Sequence, residues 1–166
     1  MTEDLKAAVS SLVIETVTLR DMLVSTYDDF DPEFLPEDFG LNGQAYNGVT
    51  RIQTFEDDNE PDMQFIRFIF SSGIRFISNE DRKALKKQEI ENEDVIPYIE
   101  FKATFSADYK SGVQLTQDQL RAFAKQHVSY HVWPYWREFI QSSCARLNIH
   151  PITIPPVRIK LDKEAP

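Results

Sequence analysis

Every second residue between Tyr98 and Tyr109 is apolar. Ile99, Phe101, Ala103, Phe105, Ala107 and Tyr109 alternate with Glu100, Lys102, Thr104, Ser106 and Asp108. Side chains of a strand project to opposite faces in turn, so this run predicts a strand with one dry and one wet face. Met63 to Ser78 repeats the pattern, with Ile66, Phe68, Phe70, Ile74 and Phe76 on one side and Arg67 and Arg75 on the other. Two strands of this kind need further strands beside them and a second layer over the apolar face.

The remaining elements follow from weaker periodicity and from punctuation. Leu12 to Tyr27 reads as a first strand in which Val13, Val17, Leu19 and Leu23 share one parity, interrupted by Glu15 and Asp21. Gln44 to Phe55 reads as a strand with alternation only in part, and Gly73 suggests a bulge or bend in the strand around it. Glu3 to Ser11 is a short helix or a frayed tail. Asp28–Gly40 is an acidic, Pro-containing loop, Glu56–Asp62 a turn, and Asn79–Val95 an extended connection with room for a helical turn. Thr116 is placed to cap a short helix running to about Gln126, with Gln119 at the capping-box position. A second helix is predicted from about Val132 to Leu147, with Pro134 in or near its first turn. The expected fold is therefore α+β, a four-stranded antiparallel sheet with C-terminal helices packed on one side. The expected organisation is a single domain over 12–159, preceded by a tail or short helix at 1–11 and followed by a short tail at 160–166.

Composition excludes several function classes. The formal net charge of −9 argues against nucleic acid as a partner and favours basic surfaces. Cys144 is the single cysteine, so no disulfide framework exists within one chain, which fits a reducing, cytoplasmic setting. The N-terminus lacks a signal-peptide pattern, and no apolar run is long enough for direct membrane insertion. Five scattered glycines supply no phosphate loop, dinucleotide fingerprint or nucleophile elbow. His127 and His131 are spaced i, i+4 with Glu138 further on, but no zincin pattern surrounds them, and a structural role is the preferred reading. Cys144, on the apolar stripe of the second helix, reads as a buried and inert thiol. The acidic runs at 28–38 and 56–62 lack EF-hand spacing and read as solvated turns. The expectation is a chain that is not an enzyme and carries no metal or cofactor.

What the chain has in surplus is apolar and aromatic surface near its C-terminus. Both tryptophans lie in "VWPYWREFIQSSCARL", where Val132, Trp136, Phe139, Ile140 and Leu147 form one broad helical face with Trp133 and Cys144 at its edge. The segment after it adds Ile149, Ile152, Ile154 and Val157 on a proline-stiffened strand of chain. Core packing accounts for part of this surface. The third strand also carries Met63, Phe65, Ile69 and Ile77 opposite its main apolar row, so a single helical layer leaves a second face for self-association or binding. An extended loop over an aromatic-rich helix could form an apolar groove.

The same stretch resembles the C-terminal signature of the SecB export-chaperone family. Trp133, Pro134, Tyr135, Arg137 and Glu138 match the opening of that family's long helix; Pro151, Ile152, Thr153, Ile154, Pro156 and Val157 match its close. With the four strands, the resemblance covers roughly residues 12 to 159. It implies an ATP-independent holdase that assembles as a dimer of dimers. Such proteins bind unfolded or precursor polypeptides in apolar grooves, and serve either protein export through the SecA translocase motor or the antitoxins of toxin–antitoxin systems. On this reading Trp133, Trp136, Ile140, Cys144 and Leu147 line or support the groove, and Ile149, Ile152, Ile154 and Val157 form its lip. Arg137 and Glu138 then have a structural part. Asp21 matches one acidic residue through which export members contact the motor; Ser25 stands where a second acid is expected, and Lys102 lies near another. The tail "KLDKEAP" is short beside that of the export members, and the charged stretch at 79–95 is closer to the divergent SecB-like members.

Overall fold

The computed structural model describes residues 1–157. The 160–166 tail and the last two residues of the 12–159 domain lie outside them. Four strands, β1 (Val13–Thr26), β2 (Asn42–Phe55), β3 (Gln64–Ile77) and β4 (Ile99–Ser111), form one sheet in the order β1-β4-β3-β2. All three pairings are antiparallel. Four helices accompany them: α1 (Glu3–Ser11), α2 (Asn79–Lys86), α3 (Gln117–Gln126) and α4 (Val128–Arg146).

The alternation of β3 and β4 sets the core. Ile66, Phe68 and Phe70 stand opposite Tyr109, Ala107 and Phe105 in register, and all six are buried. Helices α3 and α4 cover this face. Phe123 of α3 packs on Phe68 and Tyr109 with ring centroids 5.7 and 5.2 Å apart. The second row of α4, Val132, Trp136, Ile140 and Cys144, is buried on the same layer. Helix α1 lies on α3 and buries Leu5 and Ala8. The fold is thus the predicted α+β sandwich of one sheet and one helical layer.

Local chemistry explains the helix ends. Thr116 and Gln119 form the expected capping box at the start of α3. The side-chain amide of Gln64 accepts from the Leu115 N–H at 2.9 Å and so ties the β4–α3 connection to β3. At the far end of α4, Asn148 takes a left-handed conformation (φ 56). The N–H of Asn148 then donates to the Ala145 carbonyl and that of Ile149 to the Cys144 carbonyl, a Schellman close with Cys144 and Ile149 both buried beneath it.

Four sequence expectations need correction. The parity of β1 is broken twice, by register shifts between Ile14 and Thr16 and between Leu19 and Asp21. Each bulge turns the following residues over. Val17 and Leu19 therefore face the helices, opposite Ala107 and Phe105, whereas Val13 and Leu23 stand opposite Lys110 and Lys102 on the outer face. Gly73 is no bulge: it pairs in register with Tyr46 and Lys102, and the Tyr46 ring lies over it where a Cβ would collide. The charged stretch after β3 contains a true helix, α2, capped by the Ser78 hydroxyl on the Asp81 N–H and closed through Gln88 at φ 60. Helix α4 starts at Val128, a turn earlier than predicted, because His127 serves as the end of α3 and the start of α4 at once. Pro134 consequently lies inside α4, where it has no N–H to offer the carbonyl of exposed Tyr130 one turn back.

Candidate binding site

The chain after the Schellman close runs back along α4. Burial pushes the Cys144 thiol up in pKa, and the nearby Ile152 backbone offsets part of that rise. Ile149 and Ile154 insert into the core. One residue on, the indole N–H of Trp133 donates to the Pro155 carbonyl at 2.7 Å and clasps the segment to the helix. Between helix and segment lies an open groove of about 630 Å³, walled by Tyr130, Trp133, Pro134 and Gln141 on the helix and by Pro156 and Val157 on the segment. Arg137 and Glu138 stand exposed on its rim, and neither forms an ion pair among the described residues.

The predicted site residues divide accordingly. Trp133 and Val157 line the groove. Leu147 and Ile152 are half-buried against the core beside it. Trp136, Ile140, Cys144, Ile149 and Ile154 are buried in the core, so they support the groove from beneath and present no surface to a ligand in this conformation. Helical periodicity cannot separate these two rows, because a turn of 3.6 residues places Trp133 at the edge of the same broad apolar stripe. Tyr130 and Gln141 were missed; only their place one helical turn from Trp133 and Arg137 marks them in the sequence.

A second apolar surface was missed as well. The edge strand β1 presents Leu19, Met22 and Val24 on the helix side, opposite Phe105, Ala103 and Phe101, yet the helices stop short of them. Met22 is 57% exposed. The outer sheet face is mixed rather than the continuous second apolar face that Met63, Phe65, Ile69 and Ile77 suggested: Val13, Leu23, Tyr46 and Phe55 are exposed on it among charged side chains. Arg67 forms a two-pronged pair with Asp108 at 2.8 Å and stacks over Phe55, Lys102 meets Glu100, and Lys110 meets Glu15. Ile77 is buried, and Phe65 and Ile69 are half-covered among these charged side chains. Asp21 is exposed on this outer face beside Thr104.

The histidine pair is part of the packing. His131 Nδ1 lies 2.8 Å from the buried Tyr109 hydroxyl, and the His127 ring stacks on Phe123. Burial holds both histidines below the ordinary imidazole range, and His127 lowers His131 further. Glu138 is exposed on α4, and no group of three metal-ligating side chains comes together among the described residues. No helix among the described residues is long and apolar enough to cross a membrane.

No protein-family model matches the sequence, and no curated protein sequence matches it. Solved structures do match. One is the Mycobacterium tuberculosis SecB-like chaperone Rv1957, solved in complex with a ChAD peptide from the Rv1956 HigA1 antitoxin. The two are 14% identical, with a TM-score of 0.61 over 96% of this chain and 100% of that one. At that identity the likeness is one of fold: the chain has the fold of a SecB-like chaperone.

Proposed function

We propose that this chain is an ATP-independent holdase that binds non-native polypeptides in the groove between α4 and the segment 149–157. The observation that carries this reading is the groove itself. It is apolar at its floor, polar at its rim, open along the helix, and built on residues locked from below by Trp136, Ile140 and Cys144. Such a cleft takes apolar side chains of an extended segment, while the acidic body attracts basic ones. The SecB-like fold agrees with it.

Self-association belongs to the same proposal. An unpaired strand as long as β1, with Leu19, Met22 and Val24 exposed, is a template for pairing with a second copy. A dimer through β1, and a dimer of dimers beyond it, would cover this surface and leave the α4 groove open. The setting proposed is the cytoplasm. Delivery of export precursors to the translocase motor is the weaker extension, since Asp21 is one exposed acid on a face rich in arginine and lysine.

A second reading is a dedicated adaptor for one partner such as an antitoxin. The peptide held by the structural neighbour favours it. One experiment separates the two. Several unrelated denatured proteins are diluted into nucleotide-free buffer with and without the chain, and aggregation is followed by light scattering. A holdase suppresses aggregation of all of them near stoichiometric ratios, and Tyr130→Asp and Val157→Asp abolish the effect while circular dichroism stays unchanged. Suppression of none by a folded chain refutes general holding and leaves the single-partner reading.

A further inference from the structure

We propose that His131 is a specificity-determining residue of the α4 groove, a fixed N–H donor that reads a free main-chain carbonyl of the bound segment. The inference rests on the reading of the groove as the client site. His131 belongs to the groove wall and is half-buried, next to exposed Tyr130. Its ring is held from two sides. Nδ1 lies 2.8 Å from the hydroxyl of buried Tyr109 in β4, and the rings of Tyr109 and Tyr130 stand edge-on to the imidazole, each with its centroid 5.7 Å away.

The core decides which ring nitrogen carries the proton. Tyr109 is 1% exposed, and among the described residues its hydroxyl meets His131 Nδ1 and no other hydrogen-bonding group. A proton on Nδ1 would be donated to the phenol oxygen, and the phenol hydrogen would then stay buried without an acceptor. Such an unmade bond costs the full desolvation of its donor. The reverse arrangement satisfies both groups: the Tyr109 O–H donates, Nδ1 accepts, and the single ring proton stands on Nε2. Burial and the neighbouring His127 keep the imidazole neutral, and burial keeps the Tyr109 hydroxyl protonated. Nε2 has no partner among the described residues, yet it is not shut into the core as His127 Nδ1 is. Its N–H is open to whatever fills the groove.

The other polar groups of the groove are not placed to do this. The Trp133 indole N–H is spent on the Pro155 carbonyl. Tyr130, Arg137, Glu138 and Gln141 are exposed side chains that turn to solvent at little cost. His131 has its direction fixed before anything binds, so its bond forms with little loss of rotamer freedom. A fixed donor also excludes. A segment that covers Nε2–H without offering an acceptor strands the donor, which costs more than a missing contact. The carbonyls of an extended segment are free to accept; those of a helical segment are spent inside the helix. The groove therefore prefers extended to helical segments of equal apolar content.

The test uses two fluorescein-labelled peptides rich in valine and tyrosine and matched in apolar content, one linear and one stapled into a helix. Each is titrated with the whole protein at neutral pH and followed by anisotropy, and the histidine tautomers are read by long-range proton–nitrogen NMR. The Nε2–H form is expected at His131, and its proton should move downfield when the linear peptide binds. His131→Asn keeps an acceptor for Tyr109 at the reach of Nδ1 and has no atom at the reach of Nε2, so it should weaken the linear peptide about five- to tenfold and leave the helical one unchanged. His131→Gln carries an amide N–H at the reach of Nε2 and should retain most of the binding. A residue that served only to satisfy Tyr109 would give the opposite order. An Nδ1–H form in the free protein, or a larger loss in His131→Gln than in His131→Asn, overturns the proposal. Binding that Tyr130→Asp abolishes and His131→Asn leaves intact overturns the part of His131 alone. Failure of both peptides to bind the folded protein overturns the groove as client site, and this proposal with it.

Discussion

Replacing Trp133 by Phe should release the 149–157 segment without unfolding the domain. The substitution keeps an aromatic ring on the floor of the groove and deletes one donor, the indole N–H that reaches the Pro155 carbonyl at 2.7 Å. A neutral hydrogen bond contributes about 1 kcal/mol net. Pro155 is exposed, so water replaces the lost donor at its carbonyl, and the loss falls toward the low end, about 0.5–1 kcal/mol. That energy acts on the local opening equilibrium of the segment, and 1 kcal/mol corresponds to about a fivefold rise in the open population. The reporter is built in: the Ile149 N–H donates to the Cys144 carbonyl at 3.1 Å. Native-state hydrogen exchange should show the Ile149 amide exchanging about two- to fivefold faster in Trp133→Phe. Amides of β3 and β4 should be unaffected. Unchanged exchange at Ile149, or acceleration spread evenly over the sheet, would refute the view that Trp133 clasps the segment.

Three further predictions concern stability. Ile140→Ala empties a fully buried site under α4 and should cost about 2–5 kcal/mol by chemical denaturation, while the folded variant still binds client, since Ile140 supports the groove rather than lining it. Gln88→Gly should raise stability by about 0.5–1 kcal/mol, because a left-handed conformation at φ 60 closes α2 and glycine adopts it without Cβ strain; a fall in the melting midpoint would contradict this. Burial holds His127 and His131 below the ordinary imidazole value of 6.5, so the unfolded chain binds protons that the folded one refuses. Their contribution is complete above pH 6.5 and is lost as pH falls through the lowered folded values; His127→Gln with His131→Gln should flatten the melting temperature between neutral pH and pH 5, and an unchanged slope would exclude the pair.

The site was legible in its materials and not in its layering. The tryptophan-rich helix and the isoleucine-rich segment after it were correctly brought together, because their apolar surplus and punctuation are local. Which of those residues lie inside was not readable. Trp136 and Trp133 are separated by less than one helical turn, and only the position of the sheet buries the first and leaves the second at the groove.

By itself the sequence determined the strong strands, the capped helix α3 and the α+β class. Period-two burial in β3 and β4 and the Thr116–Gln119 box act over a few residues and survive in any tertiary context. The faces of β1, the role of Gly73 and the start of α4 were decided by tertiary structure. Two bulges turned β1 over, a Tyr46 ring claimed the space above Gly73, and His127 joined two helices across the turn between them. Each depends on a partner strand or packed layer far away in the chain, which no local pattern records.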